Sequence, residues 1–237
     1  MLSDHGFITS ARLRRGYGQQ EHTVQVLRVD PLQDENGHLL HGSMQDAEGI
    51  ALGRDGTIYV SFEQHNRVLA YPRLGGPAIG LGEHVDFERM RAGRAMEALA
   101  VARDGSVYAI PERPARATYG FPSYRLRDGD WTGSFRLPSE GTFLPVGADF
   151  GPDNQLYVLE RTIENGRFRS LVRRFAINGR AISEPQVVMR SDPGQFDNLE
   201  GLAVFRDWNG RIHLLMVSDD DMNANLRSEI VDVVLNR

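Results

Sequence analysis

Cysteine is missing from all 237 residues, so disulfides and thiolate metal sites are excluded, and redox chemistry says nothing of compartment. Lysine is missing too: all 27 basic residues are arginine, which removes Schiff-base and Walker-type lysine chemistry. No apolar run approaches the roughly 20 residues of a membrane-spanning helix. The opening Met1-Leu2-Ser3-Asp4-His5 has neither the charged start nor the apolar stretch of a signal peptide. There is no G-x-S-x-G elbow, H-E-x-x-H pair, EF-hand loop or P-loop, and the seven histidines show no metal-ligand spacing. A net charge of −5 argues against a nucleic-acid partner, which would require a basic face. Apolar content is ordinary, and the length suffices for one domain, residues 1–237, with a substantial core.

What is present is a repeat. DAEGIALGRDGTIYVSFE (46–63) returns as MEALAVARDGSVYAIPE (96–112), VGADFGPDNQLYVLE (146–160) and NLEGLAVFRDWNGRIHLLMVSDD (198–220). Glu97 lies 49 residues after Glu48, Gly147 lies 98 after Gly49, and Gly201 lies 54 after Gly147. Each unit is a short apolar run, a turn such as Arg54-Asp55-Gly56 or Arg103-Asp104-Gly105, and a second run rich in β-branched and aromatic residues. That is the pattern of a β-hairpin. Weaker strand-like runs follow, such as Arg67–Tyr71 and then Val85-Asp86-Phe87. Four strands per period of about 50 residues predict an all-β fold, a propeller of five to six four-stranded antiparallel blades. Tyr59, Tyr108 and Tyr157 align and belong to the inter-blade core on this reading.

The chain opens in mid-blade. Leu2-Ser3-Asp4 resembles Val217-Ser218-Asp219, the end of a second strand. FITSARLRR and HTVQVLRV then supply the outer strands of a first blade that lacks its inner one. We expect Met1 to be an internal start, with a longer parent carrying that strand. Residues 34–43 form a polar loop and residues 229–235 a closing strand, while residues 83–91 form a helical turn or an outer strand. The loops at 111–124 and 191–198 leave from the same end of their hairpins, where function concentrates on rigid scaffolds.

The first strand of each blade lines the channel, so a repeated residue recurs around a ring. Glu48, Glu97 and Glu200 begin those strands. Glu63, Glu112, Glu160 and the Ser218–Asp221 run end the returning strands at the same rim, and Asp4 joins them. Like charges this close need a counter-charge. A hard cation such as Ca²⁺ is one remedy, and arginine is the other, with Arg113 and Arg161 read as equivalent suppliers. Such a mouth suits phosphate or carboxylic esters, with a metal polarising the ester oxygen and a carboxylate as general base toward water. Asp149 falls three positions off register, so the third full unit breaks the ring or bulges. His41 and His65 read as solvated loop residues.

The ordered series D-x-E-G-I-A…D-G-x-x-Y-V-S-x-E, E-A-L-A…E-R, L-Y-V-L-E-R and D-N-x-E-G-L-A…L-M-V-S-D-D resembles the phytase-like family, described as "esterase-like activity of phytase". The match runs from Ser3-Asp4 to about Asp221. It implies a β-propeller, longer at the N-terminus, with an export signal and a periplasmic or secreted location. It also implies an acidic centre at Glu48, Glu63, Glu97, Glu112, Glu160, Arg161, Asn198, Glu200, Ser218, Asp219 and Asp220. The family has Asn where Asp221 stands. Taken together, the residues expected to act are Glu48, Glu97, Glu112, Glu200 and Asp219 in catalysis. Arg113, Arg161, Glu63, Glu160 and Asn198 are expected to bind substrate, and Glu48, Glu200, Asp219 and Asp220 to hold Ca²⁺. The leading reading is a monomeric, metal-assisted hydrolase of anionic or ester small molecules. The alternatives are a Ca²⁺-dependent lactonase-type propeller and a non-catalytic binding propeller.

Overall fold

The computed structural model describes residues 1–14, 23–90, 96–112, 119–220, 223 and 225–235. Five antiparallel sheets succeed one another along the chain. The first holds β1 (Leu2–Ser3), β2 (Phe7–Arg14) and β3 (Thr23–Pro31). The second holds β4 (Ala47–Leu52), β5 (Ile58–Phe62), β6 (Arg67–Tyr71) and β7 (Ile79–Gly80), and the third β8 (Ala98–Val101), β9 (Val107–Ile110), β10 (Phe121–Arg127) and β11 (Asp130–Leu137). The fourth holds β12 (Leu144–Phe150), β13 (Leu156–Glu164) and β14 (Arg167–Phe175). A small hairpin of β15 (Ile177–Asn178) and β16 (Ala181–Ile182) then intervenes before the outer strand β17 (Gln186–Arg190). The fifth holds β18 (Leu199–Arg206), β19 (Ile212–Ser218) and β20 (Ile230–Leu235). The sheets are the blades of a five-bladed propeller, whose inner strands pack in the order β1, β4, β8, β12, β18. Among the described residues, helix is confined to one 3₁₀ turn at Gly42–Met44, and no helix is long and apolar enough to cross a membrane.

The apolar runs are continuous rather than alternating because both faces of each inner hairpin are covered. All four residues of β9 are buried. Val107 and Ala109 face the layer shared with the second sheet, and Tyr108 and Ile110 the layer shared with the fourth. Two further layers join the first sheet to the second and the fourth to the fifth. Tyr59, Tyr108 and Tyr157 each pack into the layer toward the following blade. At the far end of the hairpins Asp55, Asp104, Asp153 and Asp207 each accept the backbone N–H two residues on, at 3.0, 3.1, 3.2 and 2.9 Å. Gly56, Gly105, Asn154 and Gly210 fill the left-handed position of the same turns, with φ of 88, 83, 63 and 81°.

The repeated glycine has a steric cause. A Cβ on Gly147 would sit 2.4 Å from the carbonyl oxygen of Glu200, and one on Gly49 would sit 2.6 Å from that of Glu97. The inner strands therefore approach backbone to backbone where the acids lie. Ser61 reinforces one contact, accepting from Gly49 N at 2.9 Å and donating to Met96 O at 2.6 Å.

Two expectations need correction, and a third is met and extended. Val85-Asp86-Phe87 is a hydrogen-bonded turn rather than a strand, and the outer strand of that blade is the earlier β7. The loop expected over 111–124 ends sooner, because Phe121–Tyr124 already pair as part of β10. The bulge suspected in the third full unit, between Pro145 and Gly147, recurs at Ala47/Ile50 and Leu199/Gly201, so it belongs to the repeat. The first sheet carries three strands, as expected, and the fifth also carries three.

Gly147→Ala should lower the urea unfolding free energy by about 2 kcal/mol, since the neighbour is backbone and cannot step aside. Gly133→Ala, with open space around its α-carbon, should change it by no more than ~0.5 kcal/mol. Equal effects at the two positions would contradict the steric reading.

Candidate functional site

Strand register fixes which residues share a height. The pairs Ile50–Val60, Leu99–Ala109, Ala148–Val158 and Leu202–Met216 align the hairpins. One position is then taken by Glu48, Glu97, Val146 and Glu200. A second, at the end of the returning strand, is taken by Glu63, Glu112, Arg161 and Asp219. Asp4 follows β1 as Asp219 follows β19. The rim thus carries four acids and one arginine at its second position. The blade that puts Val146 in place of an acid is the blade that supplies Arg161.

Glu160 is consequently one residue short of the rim position, and a slip of one flips a strand residue to the opposite face. Its carboxylate is fully buried and gripped by Arg173, with Nε to Oε2 at 2.5 Å and Nη2 to Oε1 at 2.6 Å. Burial pushes the Glu160 carboxyl up and the Arg173 fork opposes it. Glu160 is therefore placed in the scaffold, away from the mouth, and Arg161 is the counterpart of Glu112, not of Arg113. Arg113 itself lies outside the described residues, as does Asp221.

The mouth opens onto a cavity of about 530 Å³. Glu48, Glu97, Glu200, Asp4, Asp219 and Asp220 all line it. Arg161 spans the ring behind them. Its Nη2 donates to Glu112 Oε1 at 3.2 Å, and its Nη1 to Glu200 Oε1 at 2.5 Å and to Asn198 Oδ1. Asn198, buried, also donates to Glu200 Oε1 at 3.1 Å and accepts the N–H of Asp219 at 2.9 Å. Asp220 accepts from the Ser228 hydroxyl at 2.5 Å.

Where arginine does not reach, protons do. Burial, a hydrogen bond to Glu63 and the charges of Glu63, Asp46 and Glu200 push the Glu48 carboxyl up to about 8. Burial pushes Glu97 up to about 9, helped by Glu112, Glu48 and Glu200 and opposed by Arg161. Asp149, also raised by burial, to about 6, stands away from the mouth. It accepts Val204 N–H at 2.7 Å and ties the fourth sheet to the fifth.

Two residues at the mouth escaped the sequence reading. Asp46 carries a carboxylate oxygen that lies within 4.8 Å of those of Glu48 and Glu63. The D-x-E spacing, which puts both acids on one side of a strand, was the available signal. Three carboxylates offer up to six oxygens, and the hydrogen bond from the Glu48 carboxyl to Glu63 marks a place that a cation could take, so the donor set fits a hard divalent ion. This grouping shares Glu48 with the expected metal set but replaces Glu200, Asp219 and Asp220 by neighbours on the same blade. The second residue is His5, the only basic side chain in the cavity lining among the described residues. Its Nδ1 lies 2.6 Å from Asp4 Oδ1, and that hydrogen bond, with the charges of Asp4, Asp46 and Asp219, raises its pKa. His5 occupies the position matching Asp220, which is where the repeat could have revealed it.

Arg173→Met leaves Glu160 buried without a partner and should cost about 3–5 kcal/mol in denaturant unfolding, most of it recovered in the double variant with Glu160→Leu. Failure of the double variant to recover would contradict the pairing. Glu97 has a folded pKa above its unfolded value, so its contribution to stability is present below about 4.5 and is lost as pH rises through about 9. The chelated protein should therefore melt lower at pH 9.5 than at pH 6. Glu97→Gln should shrink that difference by ~3 °C or more, and an unchanged difference would show that Glu97 is not held protonated.

Comparison with known proteins agrees with the architecture. No curated protein matches the chain closely enough to be counted as a relative. Among solved structures, a protein from the GH130 family of mannoside phosphorylases is similar over 100% of this chain and 84% of its own, at 12% identity and a TM-score of 0.52. A glycosyl hydrolase from Bacteroides ovatus is similar over 95% and 80%, at 12% identity and a TM-score of 0.51. A protein provisionally named a gluconolactonase is similar over 88% and 67%, at 17% identity and a TM-score of 0.50. At these identities the likeness is one of fold. The family pattern is more specific: residues 1–222 match the phytase-like family, "esterase-like activity of phytase", and the chain belongs to it.

Proposed function

We propose that the chain is a metal-assisted ester hydrolase working at the acidic mouth. The observation that carries this reading is the convergence of Glu48, Glu97 and Glu200 on one cavity, each in a different electrostatic setting. Glu97, raised to about 9, holds its proton at neutral pH and is suited to donate it to a departing alkoxide. Glu200 has one oxygen fixed by Arg161 and Asn198, which orients the carboxylate to accept a proton from an attacking water. Glu112 anchors the far end of the same arginine and so positions Glu200 without reaching the cavity. Asp219 and His5 also line the cavity wall. A divalent cation such as Ca²⁺, held by Asp46, Glu48 and Glu63, would supply the Lewis acidity that polarises an ester oxygen and the charge that a phosphate needs.

The charge balance bears on the substrate. Arg161 is spent on two carboxylates and an amide, and among the described residues no arginine lines the cavity. A phosphate ester would therefore depend on the cation for admission, whereas a neutral ester or lactone would not be repelled. This second reading, a lactonase-type reaction, rests on that observation.

Calcium should raise the melting temperature at pH 8, and the Asp46→Asn/Glu48→Gln variant should lose the shift; no shift in the native sequence removes the metal. Aryl phosphate, aryl ester and lactone assayed with calcium and with chelator should separate the readings. Cleavage of the phosphate with calcium alone supports the first and of the lactone the second. Inertness toward all three overturns hydrolysis in favour of a binding propeller. Glu97→Gln should lower kcat at least 100-fold, and an unchanged kcat would remove Glu97 as the acid.

A further inference from the structure

The opposite face of the ring holds a second cavity, of about 610 Å³, between the third and fourth blades. It lies at the turn end of the hairpins. Residue 103 is six residues along the inner strand from Glu97, or roughly 20 Å from the mouth. Arg103, Arg125 and Arg127 line it with a single acid, Asp104, in a protein whose net charge is −5. Asp104 is already committed: Oδ1 caps Ser106 N at 3.1 Å, while Oδ2 receives Arg125 at 3.0 Å and Arg127 at 3.5 Å. Arg127 also lies 3.5 Å from the exposed Asp128, outside the cavity lining, so that two carboxylates face three guanidinium groups. Arg103 makes no ion pair among the described residues.

The cavity is built rather than merely basic. Arg125 is held rigidly, donating through Nε and Nη2 to the buried Ser106 hydroxyl at 3.0 and 2.8 Å, and lying 5.8 Å from the centroid of the Tyr108 ring. Its Nη1 has no partner among the described residues. Beside these cations lie Tyr108, Phe150 and Ile177, the two rings 5.4 Å apart across the blade boundary. The outer wall comes from the β15–β16 hairpin, which interrupts the fourth sheet, has no counterpart in the other described blades, and reaches back to pack on β11 of the third. A hairpin added to one blade and laid over its neighbour encloses space that the repeat would leave open.

We propose that this groove binds a phosphate monoester with an apolar or aromatic body, the phosphate on Arg103, Arg125 and Arg127 and the body against Tyr108, Phe150 and Ile177. Arginine forks match phosphate oxygens in pairs, and the cavity's size is that of a small-molecule site. The mouth chemistry plays no part in this inference.

The test is calorimetric titration of the whole chain with phenyl phosphate, inorganic phosphate and phenol at constant ionic strength, with chelator present to silence a metal-dependent mouth. Phenyl phosphate should bind at least threefold more tightly than either fragment. The exposed pair Arg103→Gln/Arg127→Gln should weaken it at least fivefold with an unchanged melting temperature. Asp46→Asn/Glu48→Gln at the mouth should leave it as it was. No binding of phenyl phosphate, equal affinity for inorganic phosphate, insensitivity to the arginine pair, or loss in the mouth variant would each overturn the proposal.

Discussion

Everything at the mouth depends on how closely the inner strands approach. The contact of Gly147 with the Glu200 carbonyl, and of Gly49 with that of Glu97, leaves no room for a side chain between neighbouring blades. The acids beside those glycines are thereby forced into one another's fields. Without such contact Glu48 and Glu97 would be ordinary strand-end carboxylates facing water. With it, burial and mutual repulsion keep protons on both at neutral pH.

The ring relieves its own charge in two ways, at different blades. In the fourth, Val146 takes the place of an acid and Arg161 takes the place of its rim partner, so that one guanidinium bridges Glu112 of the third blade and Glu200 of the fifth. In the second, Glu48 is held protonated by burial and by its hydrogen bond to Glu63, with Asp46 close by. A proton on one carboxyl beside two more carboxylates can be exchanged for a cation, whereas an arginine tied to the backbone cannot. Under the proposed function the second blade is the place for a metal for that reason, and the fourth blade supplies fixed geometry.

The architecture was legible because the repeat was. Aligned tyrosines, Asp-Gly turns and a period near 50 residues specify hairpins around an axis, and Glu48, Glu97 and Glu200 do share a cavity. What failed was resolution of one residue. Glu160 looks like Glu63 and Glu112 in a string of letters, yet it stands three residues after its tyrosine where they stand four, and that offset turns it inward onto Arg173. Arg173, fully buried and inside a strand, had no sequence signal that could name its partner, because the pairing crosses a hairpin. Asp46 is visible in the D-x-E motif, but it precedes the repeated glutamate and has no acidic counterpart in the later units, Asn198 standing at the matching place before Glu200. The outer strand β7 is two residues long and was invisible beside the stronger-looking Val85-Asp86-Phe87. The arginine groove depends on a hairpin that departs from the repeat, so the alignment that revealed one end of the ring concealed the other.

The account stands or falls on whether acids fifty residues apart are electrostatic neighbours. The most direct measurement is a carbon-13 titration of the glutamate side-chain carboxyls by NMR in the metal-free protein. Glu97 is predicted to keep its proton through neutrality, with a midpoint at about 9. A midpoint in the usual range near 4.5 would mean that the carboxyl meets only water, and that the shared acidic mouth does not exist.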